Sequence, residues 1–113
     1  RYGFAFLAIT HDNNFLTITR PKQGLLGGMK CLPCSDWLDS KTEEFHPPFR
    51  ADWMILNNPI NHTFTHFKLT LKVVKAHIET APPGYQKTSL DSYDPNSLPT
   101  LMKKILIMGI SVS

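Results

Sequence analysis

Cysteine is scarce in this sequence of 113 residues: Cys31 and Cys34 are the only two, and they form a single Cys-x-x-Cys pair. A structural zinc site usually takes four ligands, commonly from two such pairs. The missing pair would have to come from scattered histidines such as His46, His62 or His66, whose spacing gives no support. The pattern favours two reduced thiols, with zinc binding and redox chemistry as open alternatives.

Long apolar runs and repeats are also absent. No apolar stretch approaches the roughly 20 residues that span a bilayer, which excludes a transmembrane helix and predicts a soluble chain with no membrane partner. With 42% hydrophobic residues and no low-complexity tract, the length predicts one domain with a substantial core. The sequence starts at Arg1 without an initiator Met or a signal peptide, so we expect residues 1–113 to be one domain of a larger protein.

A strong excess of charge of one sign is missing as well. The net charge of +3 and the pI near 9.0 are compatible with a polyanionic partner, but the excess is modest. Several basic side chains are candidate phosphate contacts, although the solvated face of a half-buried strand is the more common explanation for such residues. These residues are Arg20, Lys22, Lys68, Lys72 and Lys75.

What the sequence does contain is a clear β pattern. Residues 2–10 and 15–20 enclose the turn residues of 11–14, which predicts a β-hairpin. From Phe67 to Val73 apolar and polar residues alternate, which predicts a half-buried strand that ends at the Pro-Pro-Gly of residues 82–84. At Val74 the alternation slips, indicating a β-bulge or a change of covered face. Shorter strands are predicted over residues 29–34 and 51–56, and a short helix from Asp36.

One helix is predicted near the end of the chain. Asn96 or Ser97 is a suitable cap, apolar residues recur at helical spacing, and Gly109 is the predicted stop. The apolar positions are Leu98, Leu101, Met102, Ile105 and Met108. A mixed sheet with few peripheral helices is the α+β expectation.

Two motifs carry a family resemblance. The first is the glycine-rich bend of residues 24–29, Gly-Leu-Leu-Gly-Gly-Met, and the second is the His-Thr-Phe-Thr-His-Phe-Lys-Leu stretch of residues 62–69. Their order and spacing, with the Leu-Pro-Thr-Leu-Met-Lys-Lys segment of residues 98–104 downstream, resemble the C-terminal domain of the A/G-specific adenine DNA glycosylases, the MutY family. That domain is a catalytically silent relative of the Nudix hydrolases.

The resemblance implies a fold and a partner. The implied fold is a Nudix-like α/β/α sandwich around a mixed sheet, and the implied partner is double-stranded DNA that holds 8-oxoguanine opposite adenine. The adenine-excising residues and the iron–sulfur cluster of the family belong to an N-terminal catalytic domain, which would be the second partner. We therefore expect no catalytic residue, metal or cofactor in these 113 residues, and a bacterial, cytoplasmic, nucleoid-associated parent enzyme.

The resemblance also assigns roles to individual residues. Oxidation of guanine at C8 turns N7 from an acceptor into a donor and adds an oxygen, and a hydroxyl can accept from the one while donating to the other. Thr65, at a position where the family has Ser or Thr, is the expected lesion reader. Phe64 is expected to wedge against bases. His66 is expected to orient the loop or touch a phosphate, and His62, Arg20, Lys22 and Lys68 complete the expected DNA-binding set.

Two other functions compete with this interpretation. A diverged Nudix hydrolase would need Mg²⁺ on a helix with an Arg-Glu-x-x-Glu-Glu cluster, whereas this chain offers only Asp36, Asp39, Glu43 and Glu44 after the bend, with two prolines close behind. A domain that only packs on other proteins would bury Phe64 and Thr65 instead of displaying them. The motif also has a purely structural interpretation, in which Phe64 and Phe67 are core anchors, Thr63 and Thr65 are ordinary strand residues, and the histidines are surface groups.

Overall fold

In a computed structural model, which describes residues 1–111, two long parallel strands form the centre of the sheet. Strand β1 (Tyr2–Thr10) pairs with β6 (Lys68–Ile78), and the register runs without a break from Tyr2 opposite Thr70 to Thr10 opposite Ile78. Both strands are rich in apolar and β-branched side chains, which suit a sheet that is covered on both faces.

Short antiparallel strands extend this pair into a mixed sheet. Within the described residues the order is β3-β2-β1-β6-β4, with β5 also paired to β6 and β7 to β2. The added strands are β2 (Asn14–Thr19), β3 (Lys30–Cys31), β4 (Met54–Ile55), β5 (Ile60–Thr63) and β7 (Gln86–Ser89). The α+β prediction and the β1–β2 hairpin are confirmed, and the strands predicted over residues 29–34 and 51–56 are shorter than expected. Strands β5 and β7 are not predicted by the sequence, which indicates a loop at His62 and Thr63.

Helix α1 (Thr100–Ser111) covers one face of the sheet. Its buried residues pack on the apolar side chains of β1, β2 and β6 that point to the same side. Gly109, predicted to end the helix, lies within it. The helix packs so closely on β1 at this position that an added Cβ would lie 2.5 Å from Leu7 Cδ2. The predicted caps are also wrong: Asn96 and Ser97 belong to a short 3₁₀ helix (Pro95–Ser97), which Asp94 caps by accepting from the Asn96 amide.

Lys75 is buried below the end of α1, and its Nζ donates to the carbonyl oxygen of Gly109 at 2.7 Å. A cation suits this position, because the last carbonyls of a helix carry partial negative charge. Burial lowers the pKa of this ammonium group. Both interpretations of Lys75, as a phosphate contact and as part of a solvated strand face, are therefore wrong, because the side chain points towards the helix and away from solvent.

The opposite face is covered by coil. Phe4, Phe6 and Val74 form a second apolar cluster against Phe45 and Trp53 of the connection between β3 and β4. The phase slip at Val74 is thus a change of covered face and not a bulge, since adjacent strand residues point to opposite faces and the register with β1 is continuous. Among residues 1–111, no helix reaches the length and apolarity that crossing a membrane requires.

The short helix predicted from Asp36 is wrong. Residues 34–38 are extended, and the backbones of Leu38 and Tyr2 exchange two hydrogen bonds of 2.7 and 2.8 Å. A second antiparallel bridge, between Cys34 and Ala5, follows with the register shifted by one residue. The reason is that the first half of β1 needs a hydrogen-bonding neighbour, and this segment supplies one. As a result Trp37 is placed beside the β5–β6 hairpin.

Candidate nucleic-acid interface

The β5–β6 hairpin displays two polar residues at its tip. Thr63 pairs with Lys68, and the Phe64 amide donates to the Phe67 carbonyl oxygen at 2.8 Å, so the chain reverses through Thr65 and His66. Both side chains are exposed. Within residues 1–111, neither their side chains nor their amides have a hydrogen-bond partner. The tip therefore offers a hydroxyl, an imidazole and two N–H donors to an incoming ligand.

Stacked aromatic rings hold the base of the hairpin. The ring centroids of Phe64 and Phe67 are 5.0 Å apart, and the Trp37 ring lies 5.8 Å from Phe64 and 6.4 Å from Phe67. All three side chains are half-buried and pack against the main core. The two phenylalanines are therefore anchors of the hairpin, while Thr65 is displayed, and the structure combines features of both interpretations of the motif.

Two guanidinium groups extend the aromatic stack. The Arg20 guanidinium lies 5.1 Å from the Trp37 ring centroid, and that of Arg1 lies 4.3 Å from the Phe67 ring centroid. Arg20 Nε also donates to the carbonyl oxygen of Leu25, at 3.2 Å. Since Leu25 belongs to the glycine-rich bend, Arg20 connects the two motifs that were recognised separately in the sequence.

The glycine-rich bend folds back on itself. The Gly28 amide donates to the Arg20 carbonyl at 3.0 Å, and a Cβ added at Gly27 would lie 2.2 Å from the carbonyl oxygen of Lys22. Gly27 is thus required by close backbone contact. Within the described residues, the exposed side chains of Lys22 and Lys68 make no hydrogen bond or ion pair. Lys68 begins β6 opposite Thr63, next to the hairpin tip, whereas Lys22 lies in the loop before the bend.

His62 faces helix α1 and not the tip. Lys104 Nζ lies 3.0 Å from His62 Nδ1, and the imidazole packs edge-on against Phe64 with centroids 4.7 Å apart. Burial, and then the charge of Lys104, lower the pKa of His62. Because Lys104 can only donate, the neutral imidazole accepts at Nδ1 and carries its proton on Nε2. His62 therefore ties the hairpin to α1.

The cysteines and the acidic segment have their own surroundings. Neither Cys31 nor Cys34 forms a disulfide, and burial raises the pKa of both thiols, that of Cys34 to about 12. Protonated thiols are poor nucleophiles and poor metal ligands. Among residues 1–111, no three His, Cys, Asp or Glu side chains gather closely enough to hold a metal ion.

The carboxylates that follow the bend do not fit the Mg²⁺ of Nudix hydrolases. Asp36, Asp39, Glu43 and Glu44 lie in coil and bends and share no helix face. Glu43 instead accepts from Lys72 Nζ at 3.1 Å. That ion pair gives Lys72 a carboxylate partner within the chain.

Three residues of this surface could not be identified from the sequence as part of the site. The sequence places Trp37 near the start of a predicted helix, whereas its actual position depends on the distant pairing of Leu38 with Tyr2. Arg1 stacks on Phe67, and Lys104 contacts His62 across 42 positions of sequence. The helical spacing of α1 could have shown that Lys104 borders the buried face, but its partner could not be read from any local pattern.

Comparisons with known proteins agree with this architecture. A profile of the family described as NUDIX domain matches residues 4–108. The human protein adenine DNA glycosylase is 27% identical over 106 residues, an alignment that covers 80% of this chain and 19% of the human protein. A chain in the crystal structure of the complex between the C-terminal domain of mouse MUTYH and human PCNA superimposes with a TM-score of 0.73. That match has 20% identity and covers 97% of this chain and 87% of the other, so it shows a shared fold.

Proposed function

This chain belongs to the NUDIX domain family, and on that premise we propose that it is the 8-oxoguanine-recognition domain of an adenine DNA glycosylase. The similarity to the human glycosylase supports this assignment, and the chain spans only 19% of that protein. In the proposed enzyme a separate N-terminal domain flips out the adenine and hydrolyses its N-glycosidic bond. The present domain reads the base on the other strand and has no glycosylase activity of its own.

The observation that supports this function best is the display of Thr65 and His66 on a fixed hairpin. Normal guanine presents only the acceptors N7 and O6 in the major groove. 8-Oxoguanine presents an N7–H donor beside the acceptor O8. The Thr65 hydroxyl accepts from N7–H, and the two free amides of the tip can donate to O8. Guanine has no O8 to accept from the amides and no N7–H to donate to the hydroxyl, and the mismatch costs roughly 1–3 kcal/mol.

The competing functions have less support. Hydrolysis of a nucleoside diphosphate derivative needs carboxylates grouped around Mg²⁺, and the acidic residues after the bend are spread along coil. A role limited to packing on a partner protein does not account for the unpartnered polar groups at the tip. Phe64 has a more restricted role than a free wedge, because its ring is half-buried under Trp37 and His62.

The test is an NMR titration of the 113-residue chain with short duplexes that contain 8-oxoguanine·adenine or guanine·adenine. The expected result is that the lesion duplex selectively shifts the amides of residues 64–67 and 24–28. The guanine duplex is the matched control, because it has the same charge and length. If both duplexes produce the same shifts, or if neither shifts the hairpin, the lesion-reading role of Thr65 is wrong for this chain.

A further inference from the structure

We propose that Arg1 and Arg20 form a subsite for a backbone phosphate of DNA, with the Trp37 ring as its floor. This inference rests on the proposed function for the identity of the polyanion, but it concerns a different part of the surface from the lesion reader. Both arginines line one open depression of about 360 Å³ together with Trp37. The remaining lining residues are Leu25, Cys34, Ser35 and Asp36.

The stacking geometry leaves the right donors available. A guanidinium group that lies over an aromatic ring keeps its N–H groups at the edge, where they can bind an anion in bidentate fashion. Arg20 uses only Nε for the Leu25 carbonyl, so its two terminal nitrogens have no partner within residues 1–111. Arg1 Nε is 4.0 Å from a carboxylate oxygen of Asp39, and that side chain is 97% exposed, so the ion pair is weak and readily exchanged for phosphate.

The position of the depression fits a DNA strand that reaches the hairpin tip. Arg20 stacks on Trp37, which in turn packs on Phe64, the residue immediately before Thr65. A base read by Thr65 therefore has its own backbone near this surface. Contacts to phosphate carry no sequence information, so the subsite supplies affinity and orientation to damaged and undamaged DNA equally.

One group in the depression opposes an anion. Asp36 also lines the depression that contains the two arginines, and its carboxylate has the same sign of charge as a phosphate. This residue provides a substitution with the opposite expected effect on DNA affinity. Asp36→Asn removes repulsion of the phosphate, whereas Arg20→Gln removes attraction. A merely structural disturbance of the surface would weaken binding in both variants.

The experiment measures duplex binding of the 113-residue chain at several salt concentrations. We expect Arg20→Gln to weaken binding of the lesion and the guanine duplexes by the same factor, roughly tenfold at low salt, and to reduce the salt slope by about 1. Asp36→Asn should tighten binding to both. Arg50→Gln is the matched control, because Arg50 is exposed and lines a different depression, with Phe49 and His77.

A local optical signal accompanies the affinity measurement. Trp37 and Trp53 are the only tryptophans, and Trp53 lies on the opposite face against Phe6 and Phe49. In a Trp53→Phe chain, duplex binding should change the emission of Trp37, while in a Trp37→Phe chain the emission of Trp53 should stay constant.

The outcomes separate the two proposals. Equal binding of both duplexes, with the Arg20→Gln and Asp36→Asn effects present, supports the phosphate subsite and removes the lesion-reading function. Lesion selectivity with Arg20→Gln indistinguishable from Arg50→Gln overturns the subsite and leaves the function standing. A loss in Arg20→Gln that is confined to the lesion duplex also overturns the subsite, and absence of any duplex binding overturns both.

Discussion

Two of the β-hairpins in this fold, β1–β2 and β5–β6, have turns that are built in opposite ways. In the β1–β2 turn the polar groups satisfy one another: the Thr10 hydroxyl donates to the Asp12 carboxylate and accepts from the Asn14 amide. The Asn13 carbonyl accepts from the Leu90 amide at 3.0 Å, and Asn13 itself has a positive φ of 62°. This turn is stabilised by its own hydrogen bonds and has little left to offer a ligand.

In the β5–β6 turn, the stabilising contacts lie at the base and the polar groups lie at the tip. Phe64 and Phe67 are held by ring contacts and a backbone hydrogen bond, whereas Thr65 and His66 make no hydrogen bond within residues 1–111. Satisfied hydrogen bonds stabilise a turn, while free donors and acceptors allow it to recognise something. The difference teaches that a turn can be rigid and chemically available at once if apolar contacts supply the rigidity.

The largest effect is expected from removing the base of the recognition turn. Phe64→Ala deletes a half-buried ring that contacts Trp37, Phe67 and His62, so we expect a loss of about 2 kcal/mol in the free energy of unfolding. We also expect selective binding of the lesion duplex to disappear, because the tip loses its support. Denaturant unfolding and the two-duplex titration measure these effects.

Phe64→Leu serves as the control for that substitution. Leucine retains most of the buried apolar volume, so the loss of stability should be smaller and part of the duplex selectivity should remain. If Phe64→Ala leaves both stability and selectivity unchanged, the rings are not what holds the hairpin.

The next effect separates recognition from stability. Thr65→Val removes the exposed hydroxyl but preserves the shape of the side chain, so the discrimination between 8-oxoguanine and guanine should fall by about 1–3 kcal/mol. The free energy of unfolding should stay within about 0.5 kcal/mol of the wild type. Thr63→Val is the matched control, because Thr63 is also exposed but lies in β5 before the turn. Equal selectivity in both variants would show that the hydroxyl reads nothing.

The sequence predicted the elements whose apolar pattern is local. The alternation of β6 and the apolar run of β1 predicted the two central strands, although not that they pair with each other. The turn residues between β1 and β2 predicted the first hairpin. Strand β7 could not be predicted because its sequence, Gln-Lys-Thr-Ser, has no apolar alternation. Only its pairing with β2 makes it a strand. The prediction that Gly109 ends the helix is wrong because the sequence does not distinguish a glycine buried within a helix from one that terminates it. The difference depends on Leu7, which lies beneath Gly109 in the fold.

The candidate site was predicted only in part, because local sequence patterns show contiguous motifs but not contacts between distant segments. The tip residues came from a contiguous motif, so their placement together needed no tertiary information. The stack of Arg20, Trp37 and Phe64 joins three distant segments and exists only because residues 34–38 hydrogen-bond with β1. Lys75 was assigned to a basic strand face since its charge suggested solvent, whereas the parity of β6 places it under α1.

A smaller effect is expected in the β1–β2 turn. Asn13 has the left-handed backbone conformation that costs most side chains about 1 kcal/mol, so Asn13→Ala should lower the free energy of unfolding by about that amount. Asn13→Gly should lower it less, because glycine adopts positive φ without steric cost. Neither variant should alter lesion selectivity, as the turn has no proposed contact with DNA. A change of selectivity in either one would mean that the two turns are not independent.

The smallest effect concerns pH. Hydrogen bonds from Thr10, and then from Asn14, lower the pKa of Asp12 from 3.8 to about 2. Because the folded-state pKa lies below the unfolded value, the unfolded chain binds more protons in this range, and the stabilisation present above about pH 4 is lost as the pH falls towards 2. Asp12→Asn should therefore lower the denaturation midpoint slightly at pH 6, and the difference from the wild type should vanish near pH 2. Parallel midpoint curves across that range would show that the carboxylate does not stabilise this turn, and the contrast with the aromatic base of the β5–β6 turn would then rest on Asn13 alone.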